Sequence, residues 1–173
     1  MREEVTALLE NRNELLTITY FKIQELFDKK YGENALVLME IGTFFEVYEV
    51  NNEKEKIGKA KEIAELLNIQ LTRKNKSILE NSKENPIMAG VPAISFEKHL
   101  ARIIAEQKYT IAIIRQKGTP PNVSRYLDVV VSPGTNFDFV VEQDDNFITS
   151  IVIDQIRGNY LIGYSAIDVT TAK

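Results

Sequence analysis

The sequence predicts an α/β domain in which a mixed β-sheet is flanked by helices, followed by the first β-hairpin of a second, incomplete domain. Three observations predict it. Short β-branched and aromatic runs alternate with amphipathic helical stretches as far as about residue 131. Pro133-Gly134-Thr135 then closes the alternation. Beyond it come two long strand-like runs with no helix to cover them.

Leu8, Leu15, Leu16, Tyr20, Ile23, Leu26 and Phe27 recur at helical steps and predict one first helix ending near Tyr31-Gly32, where glycine can take the left-handed cap conformation. ALVLMEI, the Gly42-Thr43 break and FFEVYEV then read as strand, turn and strand. Ile57, Ala60, Ala64 and Leu67 fall on one helical face and predict a second helix with Asn68 as its stop. IQLT is a strand candidate leading into a basic loop, and NKSILENSKENP is polar enough for a mobile loop. IMAGVPAIS carries Gly90 and Pro92, and Ser95 is placed to N-cap a third helix that faces Phe96, Leu100, Ile103 and Ile104 inward.

YTIAIIRQ and YLDVVVS are strand candidates joined by KGTPPNVSR, whose adjacent prolines cannot donate ladder hydrogen bonds. FITSIVIDQ and YLIGYSAIDVTT form a hairpin turning near Arg157-Gly158-Asn159. The expected boundaries are therefore 1–135 for the first domain, 136–142 for a linker and 143–173 for the opening of the second.

Composition narrows the function. Among 173 residues, 44% are hydrophobic and 27% charged, which is the balance of a folding globular chain and not of disorder. With no cysteine and one histidine, thiol chemistry and zinc binding lack material. The N-terminal run is broken by acids and amides and no stretch reaches membrane-spanning length, so the expectation is a cytoplasmic protein without a membrane partner. A net charge of −4 argues against nucleic-acid binding. Its distribution softens this: between Glu65 and Glu80 the only charges are Arg73, Lys74 and Lys76, and between Glu106 and Asp128 they are Lys108, Arg115, Lys117 and Arg125. Such runs are also ordinary solvated loops.

No phosphate-cradling Gly-x-x-x-x-Gly-Lys-Ser/Thr loop and no Gly-x-Gly-x-x-Gly turn occurs, so nothing here should hydrolyse ATP or hold a dinucleotide. His99 reads as a packed or surface residue on its helix, and Asp144-Asp145 as solvated linker acids. No catalytic residue and no cofactor are expected in this chain.

Strand alternation puts Phe44, Glu46 and Tyr48 on one face of FFEVYEV and Phe45 and Val47 on the other, so the two adjacent phenylalanines cannot enter one core. Gly42, Phe44, Phe45 and Glu46 follow an apolar strand as Gly-x-Phe-aromatic-Glu. LNIQLTRK, PIMAGVP, IAIIRQ and VVVSPGT follow in order, then the hairpin. This series resembles the N-terminal mismatch-recognition domain, and the start of the connector domain, of the MutS family of DNA mismatch-repair proteins. The resemblance runs from about residue 13 nearly to the end of the chain.

It implies that Phe44 stacks on a mispaired base from the minor groove while Glu46 hydrogen-bonds to it, the duplex kinking there. Unstacking costs roughly a few kcal/mol per step and less where pairing is already faulty, which is a discrimination signal. It further implies that Ile41 and Met88 line the probe, that Arg73 and Lys74 lie near the phosphate backbone, and that the hairpin begins an RNase H-like connector domain. Mismatched double-stranded DNA is the implied partner. For the full-length protein the resemblance implies an ATPase using ATP and Mg, a homodimer, and downstream repair proteins as partners. Thr43 stands where the family favours an acid, Phe45 where it favours Tyr, and Ala93-Ile94 where a histidine is usual. A rival reading makes the aromatic hairpin a protein-interaction or regulatory module; burial of Phe44 in the core would sink the probe, whereas its exposure next to Arg73 or Lys74 favours it. A nuclease ranks last, because no carboxylates cluster at metal-ligand spacing.

Overall fold

A computed structural model describes residues 1–133 and 147–168. Gly134-Thr135, the 136–142 linker, the boundary at 143 and Asp144-Asp145 lie outside the described residues. The first helical stretch is two helices, α1 (Arg2–Glu10) and α2 (Leu16–Tyr31). This corrects the single helix expected from periodicity. Asn11 ends α1, and its side-chain oxygen accepts the Asn13 N–H at 3.3 Å, a local bond that competes with continuing the helix. α1 then folds back on the sheet, where Arg2 donates to the Asp128 carbonyl at 2.8 Å. α2 ends at Gly32, whose φ of 82° needs no Cβ.

Strands β1 (Ala35–Ile41) and β2 (Phe44–Asn51) form the hairpin, and β3 (Lys56–Gly58) pairs with the far end of β2. Ile57 therefore lies on a strand opposite Val50, and the helix expected to include it, α3 (Ala60–Leu67), starts later. Gly58 makes the turn between them: φ is +85°, and a Cβ there would sit 2.0 Å from the Tyr48 carbonyl oxygen. Gly58→Ala is expected to destabilise the domain by about 2–3 kcal/mol, read as a lowered urea midpoint. A midpoint unchanged within error would mean that this backbone is free to move. Asn68 stops α3 in the left-handed conformation, and Glu49 on β2 accepts the Lys61 N–H at 2.8 Å, placing a carboxylate at the helix N-terminus.

Of IQLT, only Thr72 enters a strand, β4 (Thr72–Arg73). β5 (Ile87–Pro92) is a full strand lying between β4 and β2, which the sequence did not announce. A 3-10 turn (Ala93–Ser95) leads into α4 (Phe96–Ala105). Ser95 stands at the N-cap but its hydroxyl donates to the Pro92 carbonyl at 3.2 Å and caps nothing. Phe96, Leu100 and Ile103 are buried, and Ile104 packs at their edge. β6 (Thr110–Lys117) and β7 (Ser124–Val131) complete the sheet.

The strand order is β4-β5-β2-β1-β6-β7, with β1 and β6 parallel and the other pairs antiparallel, so the sheet is mixed as predicted. Both faces are covered. Leu36, Leu38, Phe45 and Val47 meet α3 and α4, while Val37, Met39, Tyr48 and Val50 meet α2 and α1. Alternate residues of one strand thus enter opposite cores, which is why the buried run ALVLM of β1 is apolar throughout. Strands β8 (Phe147–Ile156) and β9 (Asn159–Asp168) form a separate antiparallel sheet, and nearly all its apolar side chains are exposed. Among the described residues no helix is long and apolar enough to cross a membrane.

Candidate nucleic-acid interface

The β1–β2 turn presents the motif. Gly42 takes φ +63°, Thr43 follows, and Phe44 opens β2 with 44% of its surface exposed. Its neighbour Phe45 is buried, stacked on Phe96 with ring centroids 3.6 Å apart. The turn is braced from outside. The Gln116 side chain on β6 accepts the Gly42 N–H at 3.0 Å and donates to the Gly42 carbonyl at 3.3 Å, acting as a short stretch of strand. The Gln116 N–H in turn donates to the Glu40 carboxylate at 2.9 Å, and Arg125 donates to the Glu40 carbonyl at 3.1 Å. On the other side, the Ala93 N–H donates to the Thr43 carbonyl at 2.8 Å, which brings the fully exposed Ile94 beside the tip.

The brace has a measurable consequence. In Gln116→Leu, exchange of the Gly42 amide hydrogen should accelerate by about tenfold or more, since one hydrogen bond is worth about 1 kcal/mol and its loss also frees the turn. Gln116→Glu keeps the acceptor but loses the donor, and should fall between. Unaltered exchange in both variants would show that Gln116 does not hold the tip.

Ile41 pairs across the ladder with Phe44 and is half-buried, and Met88 pairs with Tyr48 and is half-buried against the α2-side core. Glu46 lies on the Phe44 face but is largely buried. Its Oε2 accepts the Tyr48 hydroxyl proton, and the Lys74 ammonium approaches the same oxygen at 3.4 Å. Gly90 stands opposite Glu46, and a Cβ there would press on the Phe45 carbonyl oxygen at 3.2 Å while only touching the Glu46 Cγ at 3.5 Å. Lys74 thus comes to Glu46 directly. Arg73 does not: its guanidinium turns back to donate to the carbonyls of Ile78, at 3.1 Å, and Leu79, tying down the loop it enters.

The second basic segment is partly neutralised in space. Lys108 pairs with Glu62, and Arg115 with Asp128 at 2.8 Å and Glu97 at 3.1 Å while lying over the Phe45 and Phe96 rings. Two of its four cations are thus paired with acids from other elements, and Arg125 donates to the Glu40 carbonyl. Lys76 and Lys117 are exposed. His99 is half-buried on α4 with an unpartnered Nδ1. Burial, helped by Arg102 and Lys98, holds its pKa below the ordinary histidine value. Among the described residues no three metal-ligating side chains cluster.

Sequence reasoning singled out Phe44 and Glu46 but not Gln116, Tyr48 or Gly90. Tyr48 was legible as sharing their face. Gln116 carried no local signal, because its partner lies 74 positions away.

Comparison with known proteins adds an independent line. The family model for MutS domain I matches residues 20–140. A putative DNA mismatch repair protein of Acanthamoeba polyphaga mimivirus, a mutS homolog, is 31% identical over 94% of this chain and 15% of its own length. The DNA mismatch repair protein MutS of Fusobacterium nucleatum is 28% identical over 89% of the chain, and that of Chlorobium phaeobacteroides 29% over 87%. The chain spans about one sixth of the length of these relatives, 15% or 16% of each.

Proposed function

The chain belongs to the MutS family through its domain I, and on that premise we propose that the β1–β2 tip probes base pairing in duplex DNA, with Phe44 as wedge and Glu46 as hydrogen-bonding partner of the mispaired base. The coarser role is DNA binding in mismatch repair. The observation that carries the finer reading is the contrast between two adjacent phenylalanines. Phe45 fills the core, while Phe44 remains 44% exposed on a braced turn, on the face of Glu46 and Lys74. An apolar ring held in water at a fixed tip gains by entering a base stack, and gains most where a faulty pair is cheap to open.

Lys74, half-exposed beside Glu46, brings a cation to the probe face in a chain whose net charge is −4. Ile41 and Met88 flank the wedge and the Glu46 face. Arg73 acts through the 74–80 loop. The exposed β8–β9 hairpin opens a connector-type second unit. ATP and Mg, a homodimer, and downstream repair proteins belong to the activity of a longer protein in the cytoplasm. Residues 1–173 serve recognition and not catalysis.

The test compares affinities of the intact protein for duplexes identical but for one mispair, across a salt series. Tighter binding to the mispaired duplex, with the preference persisting at higher salt, is the expected result. Equal affinity for both duplexes at every salt concentration would sink the reading.

A further inference from the structure

We propose that Tyr48 is a positioning residue for the mispair contact: its buried hydroxyl holds one oxygen of Glu46 and thereby presents the other to the base. The proposal rests on the reading that Glu46 contacts the mispaired base, and it assigns a task to a residue that the motif leaves out.

Tyr48 is fully buried. Its ring stands edge-on to Tyr20, centroids 4.8 Å apart at 88°, and is tilted against Phe21 at 6.5 Å. Tyr20 is itself fixed, its hydroxyl donating to the Val37 carbonyl at 2.9 Å. The Tyr48 ring therefore has no room to swing, and its hydroxyl donates to Glu46 Oε2. Lys74 reaches the same oxygen at 3.4 Å and the Tyr48 hydroxyl oxygen at 3.1 Å, with its ammonium 5.4 Å from the Tyr48 ring centre. Two donors converge on Oε2, and among the described residues none engages Oε1.

A carboxylate held by one oxygen has lost its side-chain freedom before the ligand arrives, so the free oxygen binds without that entropic cost. Burial, followed by the neighbouring Glu46 charge, pushes the Tyr48 phenol well above its ordinary pKa, so it remains a proton donor at physiological pH. With Oε2 occupied by that bond, Oε1 is the oxygen left to meet a base. Gly90 faces Glu46 on the neighbouring strand, where a Cβ would press on the Phe45 carbonyl oxygen at 3.2 Å.

The experiment is a double-mutant cycle in the intact protein, using Tyr48→Phe, Glu46→Ala and the double variant, with affinities measured for one mispaired and one matched duplex. Tyr48→Phe should lower the preference for the mispaired over the matched duplex about five- to tenfold, the size of one net hydrogen bond. In the Glu46→Ala background it should change nothing further. If Glu46→Ala lowers the preference but Tyr48→Phe does not, or if Tyr48→Phe acts equally in both backgrounds, the positioning role is overturned while the Glu46 contact stands. If Glu46→Ala leaves the preference intact, both fall together. A second readout needs no variant: a buried hydroxyl bound to a carboxylate gives a slowly exchanging proton resonance far downfield. Absence of such a resonance for Tyr48 would also overturn the proposal.

Discussion

Replacing Phe44 by Ala should reduce affinity for a mispaired duplex by on the order of 10- to 100-fold, because an aromatic ring stacked on a base is worth about 1–3 kcal/mol by alanine truncation. Matched duplex should lose far less, since opening a sound pair costs more and leaves the ring little to gain. The fold should not notice. Phe44 sits at the mouth of β2 with much of its surface in water, and the bonds that hold its turn run through the Gly42 and Thr43 backbone. Its removal should shift stability by no more than about 0.5 kcal/mol. Equal loss on both duplexes, or a large fall in the unfolding midpoint, would return Phe44 to the class of packing residues.

The adjacent residue should behave in the opposite way. Phe45→Ala is expected to cost about 3–5 kcal/mol of stability, as large-to-small changes at buried aromatic positions do. Phe45 stacks on Phe96 at 3.6 Å, lies under the Arg115 guanidinium at 5.4 Å, and belongs to the core formed with α3 and α4. Set against a domain stability of about 5–15 kcal/mol, that loss is a large fraction of the total. Urea denaturation of the two variants side by side is the check. A Phe45→Ala protein as stable as the parent would mean that the core collapses around the hole far better than its packing suggests.

The contrast between Phe44 and Phe45 was legible in the sequence because a strand alternates and two neighbours cannot share a core. The same logic revealed β1, β2, β6 and β7, whose apolar runs are punctuated by glycine or proline. It failed where punctuation fell inside an element. Gly90 and Pro92 disguise β5 as a loop, yet Gly90 is there because the Phe45 carbonyl passes close by, and Pro92 ends the strand. Helical periodicity survived the Asn11–Leu15 break, so α1 and α2 read as one. Ile57 matched the helical face of α3 by spacing alone, although Gly58 begins a new direction.

Charge was the least legible property. A segment free of acids along the chain gathers them in space, as Arg115 does from α4 and β7. Lys74 was identified as basic, but nothing local says that it lies against Glu46 and Tyr48. The supports of the site are long-range contacts, and local patterns do not encode them.

The brace on Gly42 carries a consequence for the order of assembly. β1 and β2 are neighbours in the chain and can pair early, but Gln116 arrives only when β6 docks parallel to β1 across a connection that includes α3, β5 and α4. Such a non-local pairing is slow, because the closure entropy must be met before any contact offsets it. A nascent chain emerging from the ribosome would thus display an aromatic hairpin long before that hairpin acquires its rigid aim. The fixed aim of the tip should therefore be lost when the β1–β6 pairing loosens.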